Sequence, residues 1–558
     1  MTEPSLRMNE GSEATGEGVQ PTDDAVTPTS QKPLEVGKVG MKASNLRRMT
    51  AIGLTVPAWF VLDTSACGDY LMRRALSPEA LEEIKAGVKK LERETRLAFG
   101  DERKPLLVSV RSSAAVSMPG MMETILNVGL CDVTVKGLTR MTGNPRFVWD
   151  SYRRFVQEYA EVAYGCQSGP FATILGQHLA SEAVAAPRDL DAASLKGLVK
   201  DYLREFTVQT GVPFPQEPME QLEGAIRAVF DSWNSAKARE YRAIQDLRGL
   251  AGTAAIVQRM VYGNMGATSG SGVAFTRNPA TGQNQLYMDF LFNAQGEDIV
   301  SGRQSVAASA GLNRVLPGVY AEVQAVRKRL EMEFKDMQDF EFTVQEGKLF
   351  VLQTRNGKRT PWAAVQMAAE MVSEGIVDKA TALGRLRSYD LDNVQRRVLA
   401  QSVKVGDPVG KGVSASDGVA VGQIVFDSES ASRYHASHDS PLILVRDAIS
   451  TEDVSGIALC AGILTRTGGK ASHAAVVARQ MGKVCVVGCG DLSIDVASRS
   501  CDLKGRTLHE RDFISLDGTT GAVYAGKVEV VVERPPLLAI VKEWLADGGA
   551  TSGSGSLD

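Results

Sequence analysis

The chain of 558 residues has room for about two to four domains, and its 44% hydrophobic and 23% charged content is that of an ordinary globular protein. A formal net charge of −4 argues against nucleic acid as the main partner. No apolar run approaches the ~20 residues needed to span a bilayer, and no basic, apolar signal segment opens the chain, so a cytoplasmic protein with no membrane partner is expected.

Residues 1–33 are rich in Glu, Gly, Thr, Ser and Pro and predict a disordered segment. Alternating strand and helix signals over residues 34–362 predict an α/β domain. Within it, Leu34-Glu35-Val36 reads as a short extended stretch, and Lys42 follows Gly40-Met41 at the start of a helical run from Ala43 to Met49. Arg111 ends the apolar strand Leu106 to Val110, where a buried guanidinium needs anionic company. Gly120-Met121-Met122 follows Pro119 and offers backbone N–H groups, although a Met pair by itself is more often core.

Further along, Asp339 and Glu341 alternate with Phe340 and Phe342, which on a strand puts both carboxylates on one face and both rings on the other. Gln353 and Arg355 likewise share a face of the next strand, Leu349 to Arg355. A three-residue loop (Glu346-Gly347-Lys348) sets Glu341 opposite Gln353 and Asp339 opposite Arg355. A two-residue turn shifts the register by one and scatters the four. Residues 363–405 predict a helical linker, and residues 406–528 a compact second α/β domain of short Val/Ile strands. Residues 529–558 predict a helix (Leu537 to Leu545) and a Gly/Ser tail. The seven scattered cysteines lack metal spacing and read as reduced, buried thiols.

The most informative run is Leu464-Thr465-Arg466-Thr467-Gly468-Gly469-Lys470-Ala471-Ser472-His473-Ala474-Ala475-Val476-Val477-Ala478-Arg479. It reads as a strand (Gly462 to Thr465), a glycine loop (Gly468-Gly469), and a helix opening at Ser472-His473 and closing at Gly482. An imidazole in a first helical turn sits where free N–H groups and the positive dipole end attract anions and disfavour the imidazolium. His473 is thereby expected to stay neutral and nucleophilic, with glycines that let a phosphate chain approach. Ser472 can cap the helix or touch a phosphoryl oxygen. The other histidines (His178, His435, His438 and His509) have no ligand-like spacing.

Gly-Gly-Lys-Ala-Ser-His-Ala-Ala-Val-Val-Ala-Arg resembles the phosphohistidine signature of the phosphoenolpyruvate-utilising enzymes, pyruvate phosphate dikinase above all. Val108 to Ala114, Ser117 to Thr124, Trp149 to Phe155, Phe275-Thr276-Arg277-Asn278-Pro279, Asn293 to Asp298 and Leu352 to Thr360 are similar to the dikinase nucleotide-binding domain. The resemblance covers roughly residues 34–528 in the family's order. It implies an ATP-grasp nucleotide-binding domain, the helical linker, and a small swivelling phosphohistidine domain. It further implies that Lys42, Arg111, Glu341, Gln353 and Arg355 hold ATP, with Gly120, Met121 and Met122 against its phosphates. Glu297 is a candidate for the ribose or metal, Gln258 to Tyr262 is similar to the strand that reads the adenine, and Mg2+ falls to Asp339, Glu341 and Gln353. The three-residue hairpin loop is the one that this ligand set favours.

The implied chemistry starts with attack of His473 on the β-phosphorus of Mg-ATP, which releases AMP. Inorganic phosphate then takes the terminal phosphoryl group, and pyruvate receives the remaining one. A barrel for phosphoenolpyruvate and pyruvate is not found after residue 528, so a separate subunit carrying it is an expected partner. The alternatives are a phosphotransferase for another small-molecule or protein acceptor, and a degenerate ATP-binding regulatory protein. Ala471 stands where plant dikinases carry a regulatory threonine, so that phosphorylation switch is absent at this position.

Overall fold

The computed structural model describes residues 35–551 apart from 117, 119, 120, 245, 248, 301–306, 309, 401–405, 438, 439, 450–452, 470 and 471. Of residues 244, 297, 300, 307, 308, 310, 473, 480 and 547–551 it describes the backbone alone. The expected disorder of residues 1–33 and most of the Gly/Ser tail therefore lie outside the described residues, as do Gly120, His438 and Ala471.

Two antiparallel sheets build the first half of the chain. In the first, the strands run in the order Trp59–Leu62, Ala254–Arg259, Val108–Ser113, Thr124–Val128. In the second the order is Lys348–Asn356, Gln338–Gln345, Gly270–Phe275, Tyr287–Phe292, Ala307–Ala308. Helices cover the outer side of the first sheet. Pro145–Tyr164 starts with proline in its first turn and Asn144 as cap, whose Oδ1 accepts from the Phe147 N–H at 3.0 Å. Its stripe of Phe147, Phe155 and Tyr159 packs with Tyr202 and Phe206 of Ala192–Thr210 and Phe230 of Pro218–Ser232 in one core. A second core joins the N-terminal helix Val36–Ala51 and the helix Pro317–Phe334 to the apolar face of the second sheet, including Phe340 and Phe342.

Three sequence expectations change here. Val36 begins a helix with Glu35 as its extended cap. Residues 363–405 are not wholly helical: after Pro361–Ser373 and Lys379–Leu386 comes the strand Arg396–Leu399, which pairs antiparallel with Val530–Glu533. Finally, the last helix runs Leu538–Thr551, through Gly548, and buries Leu538 and Val541 against Ala364, Val365 and Leu386 of the linker helices. The burial of apolar surface between chain segments distant in sequence fixes these elements, and local composition does not register it.

The second half is built on an eight-stranded sheet whose centre is parallel (Val419–Val425, Leu442–Arg446, Gly462–Thr465 and Val484–Val487), with a small three-stranded antiparallel sheet, Leu492–Asp495, Ser500–Leu503 and Arg506–His509, beside it. Apolar clusters cover both of its faces, as a parallel sheet requires. Among the described residues no helix is long and apolar enough to cross a membrane.

Candidate active site

Lys42 is placed by a kink. Gly40 breaks the N-terminal helix with φ 76° and ψ 168°, and a Cβ there would lie 2.1 Å from the Ser113 carbonyl oxygen. The glycine lets this segment press onto the end of the Val108–Ser113 strand. The Met41 N–H donates to the Ala114 carbonyl at 2.9 Å, and the Ala43 N–H to Ser113 Oγ at 3.2 Å. Lys42 therefore starts a fresh helical turn beside Arg111, which lies on that strand.

The hairpin opposes Asp339 to Arg355 and Glu341 to Gln353. It does so by a different route from the expected three-residue loop. Gln345 pairs with Lys348, leaving a two-residue turn in which Glu346 and Gly347 both have positive φ (50° and 77°), as such a tight turn requires. That turn alone scatters the four side chains. A bulge between Glu341 and Phe342, with Leu352 as the extra residue, moves the register back by one. The bulged carbonyl of Leu352 then accepts from Arg111 Nη1 at 3.4 Å.

Around this carbonyl the charges interlock. Arg111 Nη2 donates to Gln353 Oε1 at 2.8 Å and lies 3.6 Å from Glu341 Oε2, while Gln353 Nε2 donates to Glu341 Oε1. Arg355 Nε donates to Asp339 Oδ2 at 2.7 Å. Burial raises the Asp339 carboxyl above the usual carboxylate range against the pull of Arg355. At Lys42, burial first and then repulsion from Arg111 and Arg355 outweigh the attraction of Glu341, and its pKa falls to about 8. An assembly in which cations suppress one another's charge is prepared for an anion. Asp339, Glu341 and Gln353 offer oxygen donors alone, which fits Mg2+, an ion that takes one or two carboxylates and completes its shell with water and phosphate. No cluster of three or more His, Cys, Asp and Glu occurs among the described residues, so an all-protein metal cage is absent there.

Between the two sheets opens a cleft of about 250 Å³, lined by Arg111, Glu341, Gln258, Met260, Val261 and Gln295, among others. Met121 and Met122 follow the undescribed Gly120 in a turn. Glu297 lies on the short helix Gly296–Val300 beside the cleft wall.

In the second half, the helix His473–Gln480 follows the strand Gly462–Thr465 and stops before Gly482, with φ 63°. Ser472 caps it, its Oγ accepting from the Ala475 N–H at 3.4 Å. Gly468 adopts φ 119°, and the Gly469 carbonyl accepts from the Ser472 N–H at 3.0 Å. The backbone of His473 thus opens the helix, with the glycine loop folded against its cap.

Residues 72–308 and 318–375 match the AMP/ATP-binding domain of pyruvate phosphate dikinase, and residues 438–521 match the mobile domain of PEP-utilising enzymes. The chain belongs to the pyruvate phosphate dikinase family. It is 44% identical over 494 residues to the pyruvate, phosphate dikinase of Clostridium symbiosum, covering 88% of this chain and 56% of that one. It is 45% identical over 491 residues to the chloroplastic enzyme of Flaveria pringlei (88% and 51%), and 44% identical over 503 residues to a chloroplastic enzyme of Arabidopsis thaliana (90% and 52%). The chain spans about half the length of the curated relatives it matches. Membership in the dikinase family makes the two-sheet unit an ATP-grasp domain and the eight-stranded unit the phosphohistidine domain.

Two features of the candidate site and its surroundings are not legible as such in the sequence. One is the bulge at Leu352, which leaves no residue-type signature. The other is Arg479, an arginine directly after the apolar run Val476-Val477-Ala478, whose signal was its place on an otherwise buried helix.

Proposed function

We propose that this chain carries out the ATP half-reaction of a dikinase, with His473 as the phosphoryl carrier. A ring nitrogen of His473 attacks the β-phosphorus of ATP. The bond from that phosphorus to the oxygen bridging the α-phosphate breaks, AMP leaves with the electron pair, and a pyrophosphohistidine remains. Inorganic phosphate takes the terminal phosphoryl group as pyrophosphate, leaving phosphohistidine. By analogy with the relatives' names, pyruvate then accepts the phosphoryl group, in a unit distinct from the two described.

Lys42, Arg111 and Arg355 bind and neutralise the triphosphate, which suits a transfer whose catalysis is mostly positioning and electrostatics. Arg111 is held in line by the Leu352 carbonyl and Gln353. Glu341 and Gln353, with Asp339 beside them, are the residues that would hold Mg2+, which when bound neutralises charge on the phosphates. The observation that carries the reading is the convergence of those three cations around Glu341 and Gln353, with Arg111 and Glu341 reaching the wall of the cleft.

The test is incubation with ATP labelled at the β-phosphorus, with and without inorganic phosphate. Label is expected on the protein, released by acid as a P–N bond is, and absent from His473→Ala. Equal labelling of that variant overturns the assignment.

A further inference from the structure

The helix that opens at His473 also carries Arg479, which no step above uses. Arg479 is 1% exposed, and it is enclosed by both halves of the molecule. On one side its Nη1 donates to the Ala415 carbonyl of its own domain at 2.8 Å. On the other, its guanidinium carbon lies 5.1 Å from the centre of the Phe275 ring, in the ATP-grasp domain.

Phe275 stands directly opposite Tyr287 on one neighbouring strand and Asp339 on the other, and Asp339 stands opposite Arg355. Cross-strand partners project from the same face. Tyr287, Phe275, Asp339 and Arg355 therefore form one lateral row, and Glu341 and Gln353 belong to the next row on that face. Arg479 thus lands on the very face that carries the nucleotide-site charges. The Tyr287 hydroxyl adds a second tie, donating at 2.6 Å to the carbonyl of Ser414, the neighbour of the Ala415 that Arg479 holds. Burial is the main influence on the Arg479 guanidinium and works against its charge, while Tyr287, Asp339 and Asp289 support it. Six residues of helix, roughly 9 Å of axial rise, separate Arg479 from His473, so seating one fixes the reach of the other.

We propose that Arg479 is the positioning residue that seats the phosphohistidine helix on the Tyr287–Phe275–Asp339–Arg355 row during the ATP half-reaction. This rests on the reading of His473 as phosphoryl carrier. A cation held over an aromatic ring and near a buried carboxylate suits a contact that must form and release, since each partner can return to water. It also ties docking to the nucleotide site through Asp339, which Arg355 and Arg479 share electrostatically.

Two measurements on wild type, Arg479→Met, Arg479→Lys, Phe275→Leu and the Arg479→Met/Phe275→Leu double variant test this. The first is the single-turnover rate of label transfer from ATP, set beside the equilibrium Kd for ATP. The second is hydrogen exchange of the strands Tyr287–Phe292 and Val413–Ser416, which needs no chemistry. Arg479→Met and Phe275→Leu are each expected to slow transfer at least tenfold with the ATP Kd within about twofold, and to speed exchange on both strands. The double variant should be no slower than the slower single, and Arg479→Lys should recover part of the rate. Unchanged transfer and exchange in Arg479→Met, or losses that simply multiply in the double variant, overturn the proposal. If Arg479→Met fails to fold, Phe275→Leu decides from the other side of the contact. A wild type that takes no label while Arg479→Met still speeds exchange refutes the carrier role of His473 and leaves the docking contact standing.

Discussion

Lys42 has a consequence for pH. Its ammonium is held at about 8 by burial and by Arg111, against an ordinary value of 10.5. In the proposed role of Lys42 a bound triphosphate favours the charged form, so ATP is expected to bind best below pH 8 and to take up a proton when it binds above it. Affinity is expected to be flat between pH 6.5 and 7.5 and then to weaken about tenfold per unit above pH 8, while Lys42→Arg, always protonated, stays flat over the same range. Titration calorimetry in buffers of different ionisation enthalpy reads both the affinity and the proton uptake. The sign for stability is opposite. Between pH 8 and 10.5 the unfolded chain binds more protons at this position than the folded one, so this group raises stability with pH across that window.

At the scale of elements, the glycine kink and the hairpin show how much of the site was legible. The alternation of Asp339 and Glu341 with two phenylalanines gave the faces of the strand, because a two-residue period is written directly in the side chains. The pairing of Glu341 with Gln353 was also reached, but through a loop length that the chain does not have. The two-residue turn and the Leu352 bulge are two errors of register that cancel, and neither is encoded by residue type alone. The start of the His473 helix was readable because Gly468, Gly469 and Ser472 are local signals. The pressing of Gly40 against Ser113 was not, because it joins segments 73 positions apart, counting from 40 to 113. Gly40→Ala brings a Cβ against that carbonyl and strains a φ of 76°, so it should cost about 1–3 kcal/mol and weaken ATP binding at least tenfold by displacing Lys42. Gly37→Ala, on the same helix with nothing within 4 Å of its Cβ, should leave ATP binding unchanged. Equal effects of the two on the ATP Kd would remove Gly40 from the account of the site.

Across the whole molecule, one arginine ties the ATP-grasp domain to the linker on which the phosphohistidine domain is hung. Arg277, in the quoted Phe275-Thr276-Arg277-Asn278-Pro279 motif, is fully buried at the end of the Gly270–Phe275 strand. Its Nε and Nη2 donate to Glu331 of the helix Pro317–Phe334 at 3.0 and 3.1 Å. Its Nη1 donates to Glu370 at 3.2 Å and to Glu374 at 3.0 Å, on and just past the linker helix Pro361–Ser373. One guanidinium thus answers three carboxylates from two helices, and the apolar cluster of Phe275, Tyr287, Met367 and Met371 packs beside it. Such a site gives up little when the whole set is replaced by apolar residues, but removing only the cation strands the anions. Arg277→Met is therefore expected to destabilise the protein by about 3–5 kcal/mol in denaturant melts at pH 7.5. The loss should depend on pH in a defined direction. At Glu374 burial works to raise the pKa, but the hydrogen bonds and charge of Arg277 prevail and hold it below the usual range. Its contribution is thus present above the unfolded value and disappears as pH falls through the lower, folded one. In Arg277→Met Glu374 loses that support and accepts a proton more readily, so the gap between variant and wild type should narrow as pH falls from 7.5 to 4. A gap that stays constant across that range would mean that Arg277 acts by packing rather than by charge.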